Sequence, residues 1–220
     1  MKIWGRPTSI CTQRVLWACT EANVDVELTL ASATMGADGH VSTGASPYGT
    51  VGTPGYAKMN PNATVPTIDD DGFVLWESNA IVAYVAAAYA PHALYGDSPQ
   101  QIARALQWMS WTNEHLEPPL HTLIMELKRL APALRNEGAV AATVKAAAPS
   151  LLILDAHLAH SPYVAGEMFS MGDIPTAAAA YRWGVFDLNG PNTPNIDAWL
   201  ARLAHRDGFA RHIAPTKFHV

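Results

Sequence analysis

Charge is scarce in this chain. Of 220 residues only 15% are charged, 14 basic against 19 acidic, and the formal net charge of -5 provides no basic face of the kind that nucleic acid or an anionic membrane surface requires. Neither partner is expected. Long apolar runs are missing as well. The longest, "AIVAYVAAAYA" at 80–90, is about half of the ~20 residues a membrane-spanning helix needs, and the opening "MKIWGRPTS" has too short an apolar core for a signal peptide. Cysteine is limited to Cys11 and Cys19. They lie in one expected helix, about 12 Å apart along its axis at ~1.5 Å per residue, too far for a disulfide. The pair implies a reducing compartment or nothing, and with the other absences it points to a soluble, cytoplasmic protein. A Gly-rich phosphate loop with its lysine is also lacking. The nine histidines form no ligand set: His157 and His160 are near neighbours on an expected helix, but no acidic or sulfur pair accompanies them, so they read as surface residues. "DDD" at 69–71 reads as a solvated turn. No metal is expected.

What is present is apolar surface, 49% of residues, enough for one large domain or two small ones. "KIW" reads as a short buried strand, "GRPTS" as a loop, "ICTQRVLWACTEAN" as a helix and "VDVELTL" as a second strand. A crossover of this length implies a parallel pair. Residues 35–57, rich in Gly, Ser, Thr and Pro, read as an irregular surface loop that serves either as a lid or as a tolerated insertion. "VPTI", the turn "DDDG" and "FVLW" form a hairpin, with Gly72 supplying the positive φ. "SNAIVAYVAAAYA" then continues as a helix. The segment 89–97 reads as a linker between a unit over 1–88 and an all-helical unit over 98–220, with helices near 98–130 (broken at Pro118-Pro119), 137–160, 171–184 and 195–204. In "FSMGDI", Ser170 suits the N-cap, Asp173 the position three residues on, and Phe169 a staple against Ile174.

This βαβ-ββα order, with a proline just before the third strand, resembles the thioredoxin-like fold. More specifically, "GRPTSICTQRVLWA", "NPNATVPTIDDDGFVLWESNAIVAYV" and "FSMGDI" occur in the order and rough spacing of the soluble glutathione transferases, and "QWMSWTNEHLEPPL" is similar to the fourth-helix segment of bacterial members. The resemblance covers nearly the whole chain apart from 35–57. It implies an α/β thioredoxin-like domain followed by an all-α domain, a homodimer, and glutathione as co-substrate. It also implies a cis bond at Val65-Pro66, which would leave the backbone of Val65 free to pair with an extended peptide. Ser78 and the first N–H groups of its helix would hold the carboxylate of the γ-glutamyl end, and Glu77 its ammonium. The alternative is that Ser78 is only an N-cap and Glu77 a first-turn acid.

The family's reaction requires the glutathione thiol as thiolate. Ser9, at the start of the first helix, fits a hydroxyl that donates to sulfur, and it keeps the family's interval to the apolar Val15. Thr8 is the nearest rival hydroxyl, and Cys11 is the rival for thiol-disulfide chemistry. Trp108, Trp111, Thr112 and His115 recur at helical spacing and are the expected lining of a pocket for a small hydrophobic electrophile, with inter-helix core as the alternative for the tryptophans. Lys58 and Asn60 are candidates for the glycyl end. The family often has Gly where Ala63 stands, and its second-helix region is expected here to be replaced or displaced by the Gly-rich loop. The functional alternatives are a non-catalytic binding or dimerisation scaffold, and a disulfide reductase that works through Cys11.

Overall fold

A computed structural model describes residues 1–32, 51–130, 132–186 and 188–215. Strand β1 (Lys2–Gly5) leads through a tight loop to helix α1 (Ile10–Glu21) and β2 (Glu27–Leu30), which pairs parallel to β1. Helix α2 (Pro54–Met59) precedes β3 (Thr67–Asp70), β4 (Phe73–Trp76) and α3 (Ser78–Tyr89). The sheet order is β2-β1-β3-β4, with β3 antiparallel to both neighbours. Ile3 and Ile68, register partners at the sheet centre, are buried against Val15, Leu16 and Ala18 of α1 and Ile81, Val82 and Val85 of α3. Their β-branched side chains suit a pleated surface covered by helices.

The hairpin closes through Asp71 (φ 51) and Gly72 (φ 91), two consecutive left-handed residues that match the right-handed twist of the strands. Its strands are longer than the sequence suggests: Asp69 and Asp70 belong to β3 and not to the turn. Asp69 Oδ1 accepts from Gly72 N at 2.7 Å, and Asp70 Oδ2 accepts from the hydroxyl of Tyr84 at 2.7 Å and from that of Tyr89. The acidic run is thus partly used to hold β3 to α3.

The second half is helical: α4 (Pro99–His115), α5 (Glu117–Ile124), a π turn at Met125–Arg129, α6 (Glu137–Leu158), α7 (Asp173–Val185), α8 (Pro194–Leu203) and α9 (Asp207–His212). Every strand among the described residues lies before Glu77. The break between α4 and α5 falls at Leu116, before the prolines, because Pro118 is accommodated at the start of α5 where no intrahelical N–H is needed. Helix α6 is long and apolar enough, by length and composition, to cross a membrane. Here its Leu151, Leu154 and Leu158 enter the core, and its Asp155 carboxylate accepts from Asn195 N, Ile196 N and Asn195 Nδ2, fixing the start of α8.

Three expectations are corrected. The loop expected over 35–57 contains helix from Pro54 onward, capped by Thr53, whose hydroxyl accepts from Tyr56 N at 3.2 Å. A second-helix region is therefore retained, and residues 35–50 of that expected loop lie outside the described residues. His157 is not a surface residue: it is half-buried, with Nε2 within 2.9 Å of the Val164 carbonyl and its ring 4.7 Å from Trp108. Finally, α9 was not expected at all. Its Phe209 and Gly208 pack on Trp17 of α1, in the other half of the molecule.

Candidate active site

Strand register determines which loops meet. Trp4 pairs with Thr67, and Thr67 with Trp76, so the chain after β1, the chain before β3 and the chain after β4 all emerge at one end of the sheet. Those segments carry Ser9, Val65-Pro66 and Glu77-Ser78.

Ser9 occupies the N-cap of α1 in extended backbone (φ -81, ψ 124), and its Oγ accepts from Thr12 N at 3.4 Å. A serine hydroxyl has two lone pairs and one proton, so the cap leaves the proton available to another acceptor. The side chain is half-buried. Thr8 is exposed, and its Oγ1 accepts from Arg6 Nη1 at 2.9 Å. Cys11 lies in the first turn of α1, half-buried, with its side chain at the edge of the core.

The loop before Ser9 is tied from beneath. Gln13 Nε2 donates to the Pro7 carbonyl at 2.7 Å, and Arg182 Nη2, from α7, donates to the Thr8 carbonyl at 3.0 Å and to Gln13 Oε1 at 2.8 Å. Beside them Arg14, also buried, is ion-paired to Glu117 at the start of α5. Burial lowers the pKa of this arginine. Neither Gln13, Arg14 nor Arg182 stands out by helical spacing. Their signal in the sequence is polarity inside otherwise apolar stretches, "CTQRVLWA" and "AAAAYRWGV", where a buried charge needs a partner.

The Val65-Pro66 peptide bond is cis, and Val65, half-buried, lies outside the ladder, which begins at Thr67. The approach to it is braced by residues the sequence does not reveal as such. Tyr56 OH bonds the Thr64 carbonyl at 2.6 Å and Thr67 Oγ1 at 2.8 Å, and Asn60 Nδ2 donates to the same two oxygens at 3.0 and 3.1 Å. Asn60 is fully buried and its Oδ1 accepts from Asn62 N, so it shapes the turn below Val65. Within this turn Ala63 adopts φ 50, which accounts for a preference for glycine at that position. Lys58 is exposed in the last turn of α2.

Glu77 is the N-cap of α3 by position, with φ 72 and no side-chain capping bond. Ser78 is the first helical residue, 8% exposed, and its hydroxyl caps nothing. The head of α3 therefore keeps its leading N–H groups without a side-chain acceptor, the partial positive charge that attracts anions. Asn79 anchors this end to the helical half, donating to the Met109 carbonyl and to Asn113 Oδ1, both at 3.2 Å.

Of the four residues expected to line an electrophile pocket, three form a ladder on α4: Trp108 to Trp111 at 4.9 Å and Trp111 to His115 at 5.4 Å between ring centroids. His115 is exposed and the tryptophans are half-buried. Thr112 faces elsewhere. It is fully buried, with its Oγ1 2.8 Å from that of Thr176 in α7. Among the described residues no group of three or more His, Cys, Asp or Glu is arranged to hold a metal ion.

Two family models match the chain: the glutathione S-transferase N-terminal domain over residues 8–88 and the glutathione S-transferase C-terminal domain over residues 116–207. The chain is 33% identical to glutathione S-transferase GstB of Escherichia coli K12 over 93% of both sequences. Among solved structures it is similar to the theta class glutathione S-transferase from Xanthomonas axonopodis pv. citri with glutathione bound, with 35% identity, a TM-score of 0.86 and 96% of each chain covered. The apo form of that enzyme matches with 31% identity and a TM-score of 0.79. An N-terminal mixed sheet covered by helices, a helical second half and this likeness along almost the whole length lead to one assignment: the chain belongs to the glutathione S-transferase family.

Proposed function

We propose that this protein conjugates the thiolate of glutathione to small apolar electrophiles, with Ser9 as the residue that stabilises the thiolate. The observation that carries the reading is the convergence, at one end of the sheet, of an N-cap serine with a spare proton, the unladdered Val65 and the uncapped head of α3. In this reading glutathione lies extended across that end. Val65 pairs with its backbone, and Pro66 fixes the turn that presents Val65. Ser78 and the leading N–H groups of α3 bind the γ-glutamyl carboxylate, and the exposed Glu77 carboxylate binds the ammonium. The Ser9 hydroxyl and the positive end of α1 hold the sulfur as thiolate. The thiolate attacks the electrophilic carbon, forming a C–S bond as the leaving group departs with its electron pair. The ladder of Trp108, Trp111 and His115 offers an aromatic wall for the electrophile, and Thr112 secures α4 against α7.

We further assign the protein to the cytoplasm, as a homodimer. The support for dimerisation is apolar surface left open on both halves: Phe73 and Tyr89 on one, Leu106 of α4 on the other, each 41–49% exposed. Sedimentation would give a dimer mass, and a monomer at micromolar concentration would refute the assembly.

The test of the reaction is calorimetric binding of glutathione followed by steady-state conjugation to a generic aryl halide. Ser9→Ala should retain binding and lose about a hundredfold in kcat/KM, the scale for removing one preorganised donor. Full activity in Ser9→Ala, with disulfide reduction abolished in Cys11→Ala, would replace this mechanism by the Cys11 one. Absence of glutathione binding would leave a scaffold.

A further inference from the structure

We infer that Arg182, acting with Gln13, is a positioning residue for the reaction: from the helical half it holds the carbonyls of Pro7 and Thr8 away from the site of the thiolate. The inference rests on the reading of Ser9 given above. Both side chains are almost fully buried, Arg182 at 4% and Gln13 at 3% exposure, so the carbonyl oxygens they engage point into the protein interior. A carbonyl oxygen is the negative end of a peptide dipole. Two of them immediately before Ser9 would repel an anionic sulfur if they turned outward, and would compete with it for the Ser9 proton. The guanidinium engages Thr8 by a charge-assisted bond and Gln13 by a second, and Gln13 passes the constraint to Pro7. Arg182 also places a fixed positive charge one peptide unit from Ser9. Arg182 is buried beneath the loop and bonds its backbone, so its action is through the loop.

The measurement is the ultraviolet absorbance of enzyme-bound thiolate as a function of pH, in wild type, Arg182→Met, Arg182→Lys and Gln13→Met. The expected result is a thiol midpoint about one pH unit higher in Arg182→Met, which is about tenfold less thiolate on the acid side, with a smaller rise in Gln13→Met and partial recovery in Arg182→Lys. The acid limb of kcat/KM should move with it. A midpoint within about 0.2 units of wild type in the variants, even with reduced stability or kcat, would overturn the inference. Should Arg182→Met not fold, an unmoved midpoint in Arg182→Lys together with Gln13→Met overturns it equally. Ser9→Ala belongs in the same series. If it leaves the midpoint unmoved, the Ser9 reading falls and this inference with it. If Ser9→Ala moves the midpoint and the Arg182 and Gln13 variants do not, only the positioning role falls.

Discussion

Two non-glycine residues close to the proposed glutathione site sit in left-handed backbone, Ala63 at φ 50 and Glu77 at φ 72, but with opposite significance. Such a conformation costs an L-residue roughly 1–2 kcal/mol. Ala63 offers no side chain in return, so Ala63→Gly should stabilise the protein by about 0.5 kcal/mol once the larger entropy of the unfolded glycine is subtracted, read as a higher urea midpoint at unchanged slope. Glu77 presents its carboxylate to solvent from the mouth of α3. Glu77→Gly should likewise stabilise, yet weaken glutathione binding about tenfold, the loss of one charge-assisted bond. The two cysteines separate in the same manner. Burial pushes the Cys19 thiol up to about 12, so in native protein near pH 8 only on the order of one molecule in ten thousand carries that thiolate. Mass spectrometry after brief iodoacetamide treatment should find Cys19 unmodified, and its labelling only after unfolding.

At the scale of elements, the start of α7 departs from its expected cap: the helix begins at Asp173 with Gly172 at the N-cap and no side-chain capping bond, so Ser170 stands two residues ahead of the cap. Ser170 still serves Asp173, as a donor: Ser170 N and Oγ donate to Asp173 Oδ2 at 2.9 and 3.1 Å, while Ser170 Oγ accepts from Gly172 N at 3.3 Å. The other oxygen, Oδ1, does what no local pattern could announce, accepting from Val164 N at 2.9 Å and from Trp199 Nε1 at 3.2 Å, so that one carboxylate ties α7 to the preceding loop and to α8. Phe169, in the loop before α7, stacks on Trp17 of α1 at 5.8 Å and meets Tyr163 edge-on at 6.0 Å. Full burial raises the Asp173 pKa from 3.8 to about 6, against the four hydrogen bonds that favour its charged form. A carboxyl raised on folding contributes stability that is complete below its unfolded value and is lost as pH rises through its folded one. Unfolding free energy should therefore show a component that declines between about pH 4 and pH 6, and Asp173→Asn should lack that component while being less stable at every pH. What was legible elsewhere follows the same division. Pro99 opening α4, Asp-Gly between β3 and β4, and the apolar period of α1 and α3 are local signals and are where they were expected. Helix α2 was hidden because Thr53-Pro54 stands in a Gly/Ser/Thr-rich stretch whose composition masks a cap. The division of labour between Thr112 and its aromatic neighbours was hidden because spacing gives a shared stripe but not which neighbour each residue meets. The Ser9, Val65 and Glu77-Ser78 segments were legible as motifs, whereas the braces behind them, Tyr56, Asn60, Gln13 and Arg182, depend on contacts made across the fold.

On the scale of the whole molecule, the halves are joined by polar side chains next to the proposed active site and by aromatic packing at the other end of α1. Arg14 reaches from α1 to Glu117, and Arg182 returns from α7 to the loop before Ser9. A buried arginine deprived of its acid is costly. Glu117→Ala should lower stability by about 3–5 kcal/mol, while Arg14→Met combined with Glu117→Gln should recover most of that loss, a coupling that a double-mutant cycle in urea will measure. At the other end Gly208 lies so close that an added Cβ would stand 2.1 Å from Trp17 Cδ1. Arg206 bonds both oxygens of Glu21, at 3.1 and 2.6 Å, with its guanidinium 3.8 Å from the centre of the Phe169 ring. Helix α9 is thus fitted to one surface of α1. A chimaera that joins this thioredoxin-like half to the helical half of a relative would therefore inherit a mismatched seam unless residues 17, 21, 206, 208 and 209 were exchanged as one set.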